Sequence, residues 1–178
     1  RWPDSQLEQE VRLHKYKLAA AQAYARSNQI DRIIAQGDHD TLGIVAAGKS
    51  YLDTRQALAD LDLDETDLMR LGVRLYKPAL VWPLETTSLM EFASGLDKII
   101  VVEEKRGLIE DQIKEILFNK QDRPALIVGK KDETGEILFP SSYQLTSEGI
   151  ALALAKRIGE LGDKEKLTSQ AQLLRNRT

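Results

Sequence analysis

Apolar residues recur along this chain with two alternating spacings, and the alternation predicts strands separated by helices. Continuous apolar runs rich in small or β-branched residues predict strands that are buried on both faces. The predicted strands are "LGIVAAG" (42–48), the first part of "VRLYKPALVWP" (73–83), which Pro78 interrupts, "KIIVVEE" (98–104), "ALIVGK" (125–130) and, at an edge, "EILFP" (136–140).

Apolar residues at helical spacing occupy much of the remaining chain. Ser5 and Glu8 predict a capping box before a long amphipathic helix that stops near Asn28. Further helices are predicted at 51–61, at 64–71 and at 146–158, and Gly72 is the expected left-handed cap of the second of these. Another helix is predicted to start at Ser88, with Glu91 in its first turn, and to end near Gly95. The apolar residues Ile109, Ile113, Ile116 and Leu117 predict one more.

This order of elements predicts the fold class. Strands that alternate with helices produce a largely parallel sheet that is covered on both faces. We therefore expect a three-layer α/β/α domain at 37–160, with a mostly parallel sheet of about five strands. Residues 1–36 are expected to form an added N-terminal helical arm, and the polar residues 161–178 a frayed tail or linker.

Composition narrows the classes of function. The 178 residues are 42% hydrophobic, which suits one domain with a real core, and the net charge of −3 comes without a basic block, which disfavours a nucleic-acid partner. Cysteine is absent, which excludes disulfides and cysteine-ligated clusters within this chain. Without a membrane-length apolar run or a signal-peptide pattern, we expect a cytoplasmic protein. The chain starts with Arg1 rather than Met, which predicts a piece of a longer polypeptide.

The segment "GIVAAGKS" (43–50) fits G-x-x-x-x-G-K-[ST], the phosphate loop of nucleotide hydrolases. In that loop a strand ends at the first glycine, and the following N–H groups wrap the phosphates. Here a polar segment precedes Gly43, and the apolar run lies inside the motif. Because strand residues direct their N–H groups into the sheet, the sequence favours a buried strand that turns at Gly48 into a helix beginning with Lys49 and Ser50. A nucleotide hydrolase is kept as a remote alternative.

Glu103 and Glu104 stand at the carboxyl end of a predicted strand, where open α/β sheets bind ligands. They are candidates for a cation site or for acid–base catalysis. No histidine or further carboxylate is close to them in the sequence. We therefore prefer the interpretation that Lys105 and Arg106 neutralise them at the rim of the domain or in a subunit contact.

Two further clusters are weaker candidates. The "DHD" segment at 38–40 offers potential metal ligands, but consecutive residues rarely converge on one ion, and His14 lies in a distant helix. A solvated loop is the preferred interpretation. Trp82 beside Pro83 is interpreted as part of the core or of a subunit interface rather than as a base-stacking residue. No nucleophile-elbow pattern G-x-S-x-G occurs.

Four segments, taken in order, resemble indolepyruvate ferredoxin oxidoreductase, a thiamine-diphosphate-dependent 2-oxoacid:ferredoxin oxidoreductase. The segments are "LGIVAAGKSYLDTRQALADLDLD", "LGVRLYKPALVWPLE", "IIVVEEKRGLIEDQIKEILFN" and "FPSSYQLTSEGIALALAKRI". The resemblance spans roughly residues 5–160 and concerns the transketolase C-terminal-like domain, with "VEEKRGLIEDQ" as its most specific part. Transketolases and dehydrogenase β subunits resemble the chain more loosely, through the corner Pro83-Leu84-Glu85 and the strand end Val101–Glu104. The equivalent domain of such an enzyme is the alternative.

The resemblance implies the function of a fragment. The whole enzyme oxidatively decarboxylates an aryl pyruvate with coenzyme A to acyl-CoA, carbon dioxide and reduced ferredoxin, using thiamine diphosphate, Mg²⁺ and iron–sulfur clusters. The thiamine signature, Gly-Asp-Gly followed by Asn-Asn, is missing, and "GDH" at 37–39 is a superficial echo. We therefore expect no catalytic, cofactor-binding or metal-binding residue here, but a structural domain. Its expected partners are the thiamine-binding domains and a γ-type domain of the same enzyme, in a homo-oligomer that transfers electrons to ferredoxin, without nucleic acid or membrane.

Overall fold

The computed structural model of the chain describes residues 5–176. Within them, five strands form one sheet: β1 (Arg32–Ala35), β2 (Leu42–Ala46), β3 (Val73–Lys77), β4 (Lys98–Val102) and β5 (Leu126–Val128). The order across the sheet is β1-β3-β2-β4-β5, in which β1 pairs with β3 antiparallel and the other neighbours pair parallel. The predicted α/β class, with a mostly parallel sheet of about five strands, is confirmed.

Helices connect the strands and extend the chain at both ends. In chain order they are α1 (Gln6–Arg12), a π-helical turn (Leu13–Lys17), α2 (Leu18–Ser27), α3 (Gly48–Asp60), α4 (Glu65–Leu71), α5 (Thr86–Ala93), α6 (Leu108–Leu117), α7 (Ser147–Ile158) and α8 (Lys164–Arg175). The capping box of Ser5 and Glu8 forms as predicted, Asn28 ends α2, and Gly72 closes α4 at φ +75°. The predicted N-terminal helix is therefore present.

The helices cover both faces of the sheet. Along the strands, Ile44 and Ile100 point to a cluster that contains residues of α3, α4, α7 and α8. Their neighbours Val45 and Val101 point to the opposite cluster, which contains residues of α5 and α6. This division follows from the alternation of side chains along a strand and explains why the strands are apolar on both faces. The predicted three layers are present.

The edges of the sheet differ from the prediction. The sequence patterns do not predict β1, whose four residues are too few to establish a period and fall in the segment 1–36 assigned to the helical arm. The predicted edge strand at 136–140 is wrong, because this segment makes a single bridge, between Lys131 and Ile137. Phe139 is buried while Ile137 is exposed. The segment is therefore a turn that the Phe139 side chain holds against the core, and not a strand.

The residues after 160, predicted to be a frayed polar tail, form helix α8 as far as the structure describes them. Leu167 and Leu174 of α8 are buried in the core cluster that includes residues of α3 and α7. Together with the partly buried Ala171 they have the spacing i, i+4, i+7 of one helix face. Polar residues occupy most other positions of α8, so the pattern of the segment as a whole is polar. The boundaries between domains stay predictions.

Candidate functional site

A crevice lies at the carboxyl ends of β2 and β4, which are neighbours in the sheet. The helix that follows β2 packs on one face of the sheet, and the helix that follows β4 packs on the other. Because the two connections leave the sheet toward opposite faces, a gap opens between them, and open α/β sheets bind ligands in such a gap. The crevice has a volume of about 490 Å³, and its lining residues are Ala47, Lys49, Ser50, Val81, Val102, Glu103, Glu104, Lys105, Arg106, Leu108 and Ile109.

The segment 43–50 supplies one wall of the crevice, but it does not form a phosphate loop. Strand β2 runs through the first part of the motif, and Gly43 pairs with Arg74 on one side and Ile99 on the other. Its backbone therefore lies inside the sheet. The turn comes at Gly48, which has φ +53° and is the first residue of α3. The predicted strand and turn are confirmed, and with them the rejection of the phosphate-loop geometry.

Gly43 has a packing role that predicts the outcome of a substitution. A Cβ at this position would lie 2.6 Å from the Phe92 ring and 2.5 Å from a methyl group of Leu96. We expect Gly43→Ala to lower the free energy of unfolding by about 1–3 kcal/mol, because the core must shift to admit the extra carbon. Urea unfolding followed by circular dichroism measures this change.

Gly149→Ala is the matched control for this prediction. There the nearest atom to an added Cβ is Oγ1 of Thr146, at 3.3 Å, and the position is helical. Alanine is the better helix former, so the control is expected to keep or slightly raise stability. Equal stability of the Gly43→Ala variant and the unmodified chain would contradict the packing role.

The two glutamates after β4 have different surroundings. Glu103 is buried, and its carboxylate accepts hydrogen bonds from the N–H groups of Ile109 at 2.8 Å and Glu110 at 2.9 Å, at the start of α6. Burial raises the pKa of Glu103 and outweighs these hydrogen bonds, which lower it. The Glu103 carboxylate therefore holds the start of α6. Glu104 lies 3.8 Å from the ammonium of Lys49.

The cations beside these glutamates are not the predicted ones. Lys105 donates to the backbone carbonyl of Tyr143 at 2.7 Å. Lys49 approaches Glu104, while the ammonium of Lys130 donates to the backbone carbonyl of Glu103. The predicted neutralisation by adjacent residues is therefore wrong. The order of the strands and helices brings these two distant lysines to the site.

The segment 38–40 is also more structured than the predicted solvated loop. Asp38 and His39 are exposed, but Asp40 is buried, and its carboxylate accepts a hydrogen bond from Nε of Arg74 at 3.0 Å. Asp40 also accepts from the N–H group of Gly37. Asp40 thus has a structural partner. Within residues 5–176, no group of three or more His, Asp or Glu side chains could hold a metal ion.

The corner at 83–85 connects the N-terminal arm to the sheet domain. Glu85 is the N-cap of α5, which begins at Thr86 rather than at the predicted Ser88. Arg26 of α2 donates to Glu85 at 2.7 Å, and the neighbouring Gln22 donates to the carbonyl of Leu84 at 2.6 Å. These contacts fix the arm against the domain.

Trp82, which precedes this corner, is half-exposed. The prediction that core packing explains it is therefore wrong. The predicted subunit interface stays a prediction. Separately, no helix within the described part of the chain combines the length and the apolar character that crossing a membrane requires.

Comparisons with known proteins identify the family. A sequence profile described as "Indolepyruvate oxidoreductase domain" matches residues 32–178. Proteins named "Indolepyruvate oxidoreductase subunit IorA" from Thermococcus kodakarensis and Pyrococcus abyssi are each 30% identical over 125 residues, which is 70% of this chain. The chain spans only 17% of the length of these curated relatives.

Two solved structures are also similar to the chain. The inactive β4 tetramer of a split-gene transketolase aligns with a TM-score of 0.47 at 18% identity, covering 72% of this chain and 41% of that one. The 2-oxoglutarate:ferredoxin oxidoreductase from Magnetococcus marinus aligns with a TM-score of 0.46 at 16% identity, covering 89% and 24%. The sequence matches decide for the indolepyruvate branch over the dehydrogenase and transketolase alternatives. The chain belongs to the indolepyruvate oxidoreductase domain family.

Proposed function

We propose that this chain is a non-catalytic assembly domain of an indolepyruvate:ferredoxin oxidoreductase. The parent enzyme converts an aryl pyruvate and coenzyme A to acyl-CoA and carbon dioxide and passes the electrons to ferredoxin. Thiamine diphosphate with Mg²⁺ and the iron–sulfur clusters are held by other domains. The chain contributes a rigid α/β body that positions these domains, in an enzyme built from several copies.

The observation that carries the proposal is that the chain matches a small part of a much larger subunit. A subunit of that length contains several domains, since domains usually have 50–250 residues. The cysteine-ligated clusters cannot lie in this chain, because it has no cysteine. Thiamine diphosphate needs a Mg²⁺ site built from oxygen ligands, and the buried carboxylates here already have other partners.

Those partners are structural in each case. Glu103 holds the start of α6, Glu85 holds the start of α5, and Asp40 pairs with Arg74. A buried carboxylate whose hydrogen bonds are all made to its own fold stabilises that fold and orients its helices.

Exposed apolar side chains support the assembly role. Leu7, Val11 and Tyr16 on the N-terminal helix are 74%, 60% and 58% exposed. They line one shallow depression along the helix together with polar neighbours. A contiguous apolar surface of this kind is typical of a site that contacts protein. In the parent enzyme, another domain covers this face of the arm.

Calorimetry tests the proposal directly. We expect no heat of binding when thiamine diphosphate with Mg²⁺ is titrated into the isolated 178-residue chain at micromolar concentrations. The parent polypeptide, measured under the same conditions, is the positive control and is expected to bind. Micromolar binding by the isolated chain would contradict the proposal that other domains hold thiamine diphosphate.

A further inference from the structure

We propose that the free end of the N-terminal arm (residues 5–17) binds the free end of the arm of a second copy of this chain, with the two helices antiparallel. The inference rests on the proposed assembly role and names the domain that covers the apolar face of the arm: the same domain in a second copy. The exposure of the helix, the position of its apolar side chains and the order of its charges support it.

The arm has one end that is held by the domain and one end that is not. Gln22 and Arg26 of α2 hold the first end at the corner 83–85. In the free end, which comprises α1 and the π-helical turn, every residue from Ser5 to Lys17 is exposed. An isolated helix of about 12 residues is only marginally stable in water. A helical end that buries none of its residues is therefore expected to pack against another protein surface.

Three apolar side chains lie on one face of this helix although their spacing is uneven. Tyr16 follows Val11 by five residues, a spacing that would turn it away from Leu7 and Val11 in a regular α-helix. The π-helical turn accommodates the extra residue, since the N–H group of Leu18 donates to the carbonyl of Leu13, five residues back. Leu7, Val11 and Tyr16 consequently line the same depression. The apolar face is continuous over roughly 14 Å of helix.

The charges of the free end are ordered along the helix. Residues 6–11 contain two carboxylates and no Lys or Arg, whereas residues 12–17 contain three Lys or Arg and no carboxylate; these charged residues are Glu8, Glu10, Arg12, Lys15 and Lys17. The helix dipole favours acids near an N-terminus and bases near a C-terminus. It does not explain the bases here, because the helical backbone continues through them as far as Ser27.

A second copy of the same helix, running in the opposite direction, matches this order of charges. The acidic half of each helix then lies beside the basic half of the other, whereas a parallel pair would place like charges together. Leu7 of one copy lies near Tyr16 of the other, and the two Val11 side chains lie close to the two-fold axis. Glu8 and Lys17 line the same depression as these apolar side chains, so they flank the contact. The surface is thus self-complementary, as a two-fold interface requires.

The contact is small, so the isolated chain should associate weakly. The helix from residue 6 to residue 17 is about 18 Å long, and a contact of this length buries less than the roughly 1,200–2,000 Å² of a stable specific interface. Exposed charge pairs contribute little free energy and mainly select the orientation, so the apolar side chains provide most of the affinity. We expect a dissociation constant on the order of 100 µM, as for a weak transient contact.

Sedimentation equilibrium of the 178-residue chain tests the self-association. We expect the average mass to rise toward twice the monomer mass as the concentration passes the dissociation constant. Val11→Ala should weaken the dimer roughly tenfold, because the dimer loses two buried side chains at once. Ile137→Ala is the matched control, since Ile137 is a 72% exposed β-branched residue in a turn outside the arm, and it should leave the dimer unchanged.

Single cysteines test the orientation, because the chain has no cysteine of its own. Under mild oxidation, Val11→Cys should form a disulfide-linked dimer, since the two positions lie near the axis. Leu7→Cys should not cross-link to itself, because the two positions are roughly 13 Å apart along the helix, beyond the reach of a disulfide. A mixture of Leu7→Cys and Tyr16→Cys should cross-link. Ile137→Cys measures the rate of random collision.

Each outcome decides a separate part of the proposal. A chain that stays monomeric at about ten times the expected dissociation constant, or Val11→Cys that cross-links no faster than Ile137→Cys, would overturn the second copy as the partner. Leu7→Cys that cross-links to itself would overturn the antiparallel orientation. The binding of thiamine diphosphate is measured separately, so a failure of this inference is distinguishable from a failure of the proposed function.

Discussion

Replacing Arg74 by Met is expected to lower the free energy of unfolding by about 3–5 kcal/mol, because it leaves a buried carboxylate without its cation. Asp40, whose side chain is fully buried, depends on Nε of Arg74 at 3.0 Å. The guanidinium also donates to the carbonyls of Phe92 and Ser94 at the end of α5, at 2.6 and 3.0 Å. One side chain thus donates to three acceptors, and after the substitution the Asp40 carboxylate would keep only its hydrogen bond from the N–H group of Gly37.

Urea unfolding of Arg74→Met, Asp40→Asn and the double variant measures how much of this cost belongs to the pair. The double variant should be less destabilised than the sum of the single ones by about 1–3 kcal/mol, since Asn leaves no unpaired charge. Arg123→Met, at an exposed arginine, should stay within about 0.5 kcal/mol of the unmodified chain. Strict additivity of the two single variants would contradict a coupled ion pair.

The contrast between Asp40 and its neighbours illustrates what the sequence could not reveal. Three consecutive polar residues read as a solvated loop, and two of them are exposed as that pattern predicts. The third pairs with Arg74, 34 positions away, because β2 and β3 lie side by side. An ion pair between residues of neighbouring strands depends on the order of the strands in the sheet, and local periodicity does not predict that order.

The elements themselves were predictable where the pattern was long. The strands β2 and β4 follow from continuous apolar runs, and α3 follows from the helical stripe at 51–61. The strand β1 and the helix α8 were missed because each offers only a few apolar residues, and their burial is set by tertiary packing.

The candidate site was predictable in part. Glu103 and Glu104 were placed correctly at a strand end, and Gly48 at the strand-to-helix turn. The sequence alone does not show that these two connections face each other, since that requires β2 and β4 to be neighbours with helices on opposite faces.

Replacing Glu85 by Gln is expected to cost roughly 3 kcal/mol of stability at neutral pH and to remove a pH dependence. Burial raises the pKa of Glu85, but hydrogen bonds from Ser88, Thr87 and Arg26 outweigh it and bring the pKa to about 2. The ordinary value is 4.5, so the folded protein holds this carboxylate ionised more strongly than the unfolded chain does. The resulting stabilisation is complete above about pH 4.5 and is lost as the pH falls through about 2.

The measurement is the difference in unfolding free energy between the unmodified chain and Glu85→Gln, taken at several pH values from 7 to 2. Other carboxylates contribute to both proteins and cancel, so the difference isolates this one group. It should be constant above about pH 5 and shrink toward pH 2 as Glu85 takes up a proton. Glu91→Gln, on the exposed side of α5, is the matched control and should give a small difference at every pH. If the difference for Glu85→Gln does not change with pH, the loss of stability comes from altered packing at the start of α5 and not from the ionised carboxylate, which would contradict the prediction.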